Sequence, residues 1–266
     1  MKQKLLKWFP WLRTIRNKQM KFCFYLKMFF DSNHYSKEKG PLLPYILYQN
    51  KDNLINTQTE CNVEYQYNKV YNLKLASTTV NQIYIKPQET FSFWQLVRFA
   101  DKKEKYKDGL TLNQGTLTTI KGGGLCALSN LLFDLFLHSP LTILERHTHT
   151  VKSFPSPTEG SLEGIDATIV EGLLDLKVKN ETEQTFQIII DITDKELVGI
   201  LRISENLKRI YEVYNKNLEI YEENGKTYER VEVWRRIKQN NEIIEDICLY
   251  INKTRLGYDP KKENLI

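Results

Sequence analysis

Three consecutive glycines, Gly122, Gly123 and Gly124, followed after Leu125 by Cys126, constrain this chain more than any other stretch of it. Glycine reaches backbone conformations closed to other residues and lets a second backbone approach closely, so three in a row mark a tight turn. Directly afterwards Leu125, Leu128, Leu131, Leu132, Leu135 and Phe136 recur at three- and four-residue steps until Pro140, the pattern of a helix buried along one stripe. The spacing predicts a core helix from Gly122 to His138, with Cys126 in its first turn. Helix-terminal amides and the helix dipole favour an anion there, which suits a reactive thiol, and the glycine turn could present amide hydrogens to a developing oxyanion. The competing reading is a small, inert core residue.

A thiol nucleophile needs a base and an orienting group. Downstream, His147 and His149 lie at the end of a strand expected over 141–145, and their alternation points them to opposite faces, so one of the two can reach Cys126. Asp166, at the start of the next expected strand, is placed to hold that imidazole. Cysteine on a helix, histidine on a strand, then a polar partner on another strand is the chain order of papain-like cysteine enzymes, which is analogy only.

Elsewhere Val63, Tyr65 and Tyr67 alternate as a half-buried strand would, and 83–85 is a short β-prone run. Residues 87–90 read as a turn, 91–97 as a short helix, 101–109 as a charged loop and 153–160 as a Ser/Pro-rich loop. Strands are expected over 165–170, 173–178, 186–190 and 198–203, and such short successive strands imply antiparallel pairing. Beyond 205, alternating residues around Asn224-Gly225 predict a hairpin. The fold class is thus α+β, a mainly antiparallel sheet packed on the helix that leaves the Gly-Gly-Gly-Leu-Cys turn. The organisation expected is a basic aromatic N-terminal helical segment at 1–58, a central domain at 59–205 and a β-rich appendage at 206–266.

The net charge of +5 is local. Eight cations, Lys2 through Lys27, precede Asp31, the first acid; the rest of the chain carries 30 of the 38 basic side chains against 33 acidic ones. That balance argues against a nucleic-acid-binding body. Residues 1–30 also hold Trp8, Phe9, Trp11, Ile15, Phe22, Leu26 and Phe29, so this stretch reads either as a helix on an anionic membrane surface or as one packed on the domain. Four scattered cysteines give no disulfide framework and no metal site, and no cofactor motif is present. Without a secretory signal or an apolar run long enough to span a bilayer, the expected location is cytoplasmic, peripheral on the inner face of the membrane.

At several of these residues the sequence resembles the VanW family. The resemblance rests on Pro87 with Glu89–Phe93, Gly122–Cys126, Glu145–His149, Asp166–Thr168, and Asp175–Lys177 with Asn180. Two positions depart from the family pattern, Ala127 where Gln is common and Ile165 where many members carry Arg. The resemblance implies an accessory role in glycopeptide resistance. It also implies cysteine-dependent acyl transfer, L,D-transpeptidase-like or amidase-like, on peptidoglycan peptide or precursor. Cys126, His147 or His149, and Asp166 would be catalytic, and Gly122–Gly124, Arg146 and Thr168 would contact substrate. The rival expectation is a noncatalytic accessory protein that holds a peptidoglycan precursor or sits on the membrane surface.

Overall fold

The computed structural model describes residues 10–55, 63–113, 116–153, 162–193 and 195–260. Residues 1–9, Cys61 and most of the 153–160 loop lie outside them. The chain opens with α1 (Pro10–Phe30), β1 (His34–Tyr35) and β2 (Tyr45–Asn53), followed by α2 (Val63–Val80), β3 (Tyr84–Ile85), β4 (Glu89–Ser92) and α3 (Phe93–Val97). A hairpin of β5 (Asp108–Asn113) and β6 (Thr116–Lys121) leads into α4 (Cys126–Leu137). Next come β7 (Thr142–Glu145), β8 (Val151–Lys152), β9 (Lys177–Lys179), β10 (Phe186–Ile192), β11 (Glu196–Ile203), β12 (Arg209–Glu223), β13 (Lys226–Gln239) and β14 (Glu242–Leu256). The fold is α+β, as the patterning predicts.

Two four-stranded sheets, ordered β2-β11-β10-β3 and β1-β4-β9-β7, accompany α4, whose leucines fill the core between them. Leu128, Leu131, Leu132, Leu135 and Phe136 are fully buried, and the Phe136 ring packs on Phe91 of β4 at 5.1 Å between centroids. The stripe that predicts the helix is therefore the stripe that anchors it. Pairing is antiparallel apart from β1 with β4 and β8 with β14. Strands β1 and β2 come from residues expected to form a helical N-terminal segment, so the first 58 residues are not helical throughout and supply strands to both sheets.

The strand expected from Val63, Tyr65 and Tyr67 is instead α2. Val63 and Tyr67 are exposed, while Gln66, Leu73, Ala76, Ser77 and Val80 are buried at helical spacing, so the local alternation loses to the longer period. The short helix expected over 91–97 is divided between β4 and α3. Ser92 makes the break: its backbone is extended and its hydroxyl accepts the Gln95 amide, capping α3. The strand expected over 165–170 does not form, apart from one bridge at Val170, because the Ala167 backbone bonds to α4 side chains, Asn130 Oδ1 at 2.9 Å and Ser129 Oγ at 2.6 Å. Of 173–178, Lys177 and Val178 alone join a ladder.

The long strands β12, β13 and β14 form the β-rich tail, with Asn224 and Gly225 both at positive φ in the hairpin turn. This sheet is tied to the centre through β8 and through the Lys152 ammonium, which lies 2.9 Å from the buried Glu229 carboxylate.

Candidate active site around Cys126

The glycine triplet brings Cys126 to the start of α4 by two separate constraints. Gly122 (φ +76°) and Gly124 (φ +93°) occupy conformations unfavourable to residues with a Cβ, whereas Gly123 is fixed by proximity: a Cβ on it would stand 2.1 Å from the carbonyl oxygen of Gly109. Asn72 of α2 clamps this crossing, donating to the carbonyls of Gly123 and Lys107 at 3.0 Å each and accepting the Lys107 amide at 2.8 Å. The amides of Gly122 and Gly123 already bond to the carbonyls of Lys107 and Ile120. An oxyanion would therefore look to the remaining amides of the turn, those of Gly124, Leu125 and Cys126, rather than to the first two glycines.

Cys126 is half-buried, and its Sγ lies 3.9 Å from Thr168 Oγ1. The same hydroxyl is 3.2 Å from Nε2 of His149. On the far side of that ring, Nδ1 lies 2.8 and 2.9 Å from the two carboxylate oxygens of Asp166. Asp166 also accepts the His149 main-chain amide at 2.5 Å and the Thr148 hydroxyl at 3.1 Å, which fixes it against the ring. Cysteine, histidine and aspartate therefore form one line, with Thr168 beside the junction of sulfur and imidazole.

The electrostatics follow from this line. Burial alone would keep the His149 imidazole neutral, but its hydrogen bonds to Asp166 and Cys126 and their negative charges outweigh that, lifting its pKa to about 10. Burial likewise opposes ionisation of Asp166, and the hydrogen bond and charge of His149 overcome it, so its pKa falls below the usual carboxylate value.

His147 points the other way, as the alternation requires. Its Nε2 is 3.0 Å from Glu145 Oε1, and Glu145 also pairs with Lys177 at 2.9 Å and accepts the Asp175 amide. Arg146, expected to face substrate, is turned inward. Its guanidinium donates to the carbonyls of Asp166 (2.6 Å) and Gly164 (2.7 Å) and to Asn252 Oδ1 (3.1 Å), and it stacks over Tyr250. It supports the Asp166 segment from the inner side.

A cavity of about 410 Å³ reaches Cys126 and all three glycines, with Trp94, Tyr106 and Lys21 among its walls. A second hollow of about 260 Å³ touches His149 and Asp166 from the side of the C-terminal sheet. Sequence reasoning missed Asn72, Ser129 and Asn130, which hold the glycine turn and the Ala167 backbone. The last two carried a legible signal, since they are polar breaks three and four residues after Cys126 on a mostly apolar helix. Among the described residues, no group of three or more His, Cys, Asp or Glu side chains could hold a metal ion.

The family model described as VanW like protein matches residues 68–202, the segment that carries this entire line. The chain belongs to the VanW family. Vancomycin B-type resistance protein VanW of Enterococcus faecalis is 45% identical over 260 residues, 97% of this chain and 94% of that protein. An uncharacterized protein of Bacillus subtilis, YoaR, is 29% identical over 154 residues, 58% of this chain and 48% of its own length. No solved structure matches. The VanW segment contains Cys126, His149, Asp166 and Thr168, while strand β14, which braces Arg146 through Asn252, lies beyond it.

Proposed function

We propose that this VanW protein is an accessory factor of glycopeptide resistance, like the vancomycin-resistance protein it is similar to. In this reading it acts as a cysteine acyltransferase on peptidoglycan peptide or precursor. The carrying observation is the line from Cys126 past Thr168 to His149 and Asp166 at the wall of a cavity large enough for a short peptide segment. The Cys126 sulfur, its proton held on His149 Nε2, attacks an amide carbonyl carbon, forming the carbon–sulfur bond. The tetrahedral oxyanion faces the amides at the start of α4. Collapse breaks the carbon–nitrogen bond, and the leaving amine takes a proton from His149 Nε2, which is charged at neutral pH. An incoming amine, or water in an amidase, then gives a proton back to Nε2 and attacks the thioester, releasing the sulfur. Asp166 holds the ring through Nδ1 and balances the imidazolium charge.

Thiol reactivity tests this whatever the natural substrate is. Among the described cysteines Cys23 and Cys248 are exposed and Cys126 is half-buried, so accessibility alone ranks Cys126 slowest of these three. Activation by His149 reverses that order: iodoacetamide should label Cys126 first, by mass spectrometry of the peptides, and His149→Ala should remove its lead. Incubation with stem peptides should add an acyl mass to Cys126. Labelling of Cys126 behind Cys23 and Cys248, with peptide retained but no adduct, would replace this reading by noncatalytic precursor binding.

A further inference from the structure

Helix α1 presents two faces of different character. One packs on the domain: Met28 is buried, Phe24 and Tyr25 lie against the core, the Arg98 guanidinium covers the Tyr25 ring at 4.7 Å, and Lys21 pairs with Glu171. The other is apolar and largely exposed to solvent. Trp11, Ile15, Phe22, Leu26 and Phe29 are all exposed, Phe22 by 66% and Phe29 by 79%. At 3.6 residues per turn these five positions fall within roughly 60° of one another, about a third of a turn away from the packed face. The same geometry sets Lys18 along one edge of this stripe and Arg16 and Lys27 beyond the other. No acidic residue occurs in α1, nor anywhere before Asp31.

We propose that α1 is an interfacial helix that seats this protein on an anionic lipid surface, its aromatic stripe in the headgroup boundary and its flanking cations on lipid phosphates. An apolar stripe bordered by cations, in a helix neither long nor apolar enough to cross a bilayer, is the arrangement that lies in the plane of a membrane. A second copy of the chain fits the stripe less well, because pairing would set Lys18, Arg16 and Lys27 against identical cations. A negatively charged lipid surface satisfies stripe and flanks together.

The packed side of α1, through Asn17, Met20 and Lys21, forms a wall of the cavity that reaches Cys126. A docked helix would hold that cavity about one helix diameter, roughly 10 Å, from the lipid. Resting on the acyl-transfer reading, this selects a peptide carried on a lipid anchor over a free one.

The experiment is sedimentation of the full chain with vesicles of phosphatidylcholine alone or mixed with phosphatidylglycerol. The protein should pellet with the mixed vesicles at least roughly tenfold more than with phosphatidylcholine, and the double variant F22E/F29E should lose that gain while keeping its melting temperature. Both positions are exposed, so unfolding is not the expected cost. Cys126→Ser should bind like the parent chain, which separates docking from catalysis. Equal pelleting with both vesicle types, undiminished pelleting of F22E/F29E, or a change in oligomeric state in that variant with vesicle binding intact would each overturn the proposal.

Discussion

The Nε–H of Arg146 donates to the carbonyl oxygen of Asp166 at 2.6 Å, while the same guanidinium reaches Asn252 in the C-terminal sheet. The tail beyond residue 205 is thereby coupled to the carboxylate that orients His149. A lysine at 146 keeps the charge but cannot serve Asp166, Gly164 and Asn252 at once, and it gives up the planar stack on Tyr250. Arg146→Lys is expected to cost about 2–4 kcal/mol in chemical denaturation, since buried carbonyls lose their donors. It should also slow alkylation of Cys126 in the folded protein. A variant that is less stable but alkylates at the parent rate would show that the guanidinium braces the fold without aligning the site.

The pairing of His149 with Asp166 makes a statement about stability against pH. The folded-state pKa of His149 is raised from 6.5 to about 10, so its contribution is complete below pH 6.5 and fades as pH rises toward 10. Asp166 is shifted downward from 3.8, so its share is present above that value and is lost as pH falls below it. The difference in melting temperature between the parent chain and His149→Gln should therefore be widest near pH 5 to 6 and shrink steadily into the alkaline range. A difference that grows from pH 7 to pH 10 would contradict the charged imidazole.

How much of the fold and the site is legible in the sequence depends on whether the information is local. The glycine turn, the buried stripe of α4 and the Asn224-Gly225 hairpin are set by neighbours in sequence, and the structure has all three. The alternation of His147 and His149 shows that they face opposite ways, but which one meets Cys126 depends on how the segment after β7 lies against 166–168. That placement is fixed by long-range bonds, the Thr168 amide to the His147 carbonyl and Asn130 to the Ala167 amide. The inward turn of the Arg146 guanidinium is illegible for the same reason: nothing in its neighbourhood reveals that three acceptors, one of them 106 residues away, wait on its inner side. The strand expected at 63–67 fails because three alternating residues carry less weight than the helical burial pattern that continues to Val80.

Thr168 touches both the sulfur and the imidazole, 3.9 Å from one and 3.2 Å from the other, so its hydroxyl can accept from Nε2 while donating toward Sγ. Two roles fit that position, packing beside the pair or bridging the proton between them, and they separate under substitution. Valine preserves the shape and removes the hydroxyl, whereas serine keeps the hydroxyl and removes a methyl. If the hydroxyl bridges, Thr168→Val should slow iodoacetamide labelling of Cys126 by roughly tenfold, about 1.4 kcal/mol, and flatten its dependence on His149. Thr168→Ser should restore most of the rate. A filler role predicts the opposite ranking, with valine near the parent and serine impaired through the missing methyl. Rates for the two variants, measured beside their melting temperatures, decide whether the hydroxyl takes part in activating the thiol.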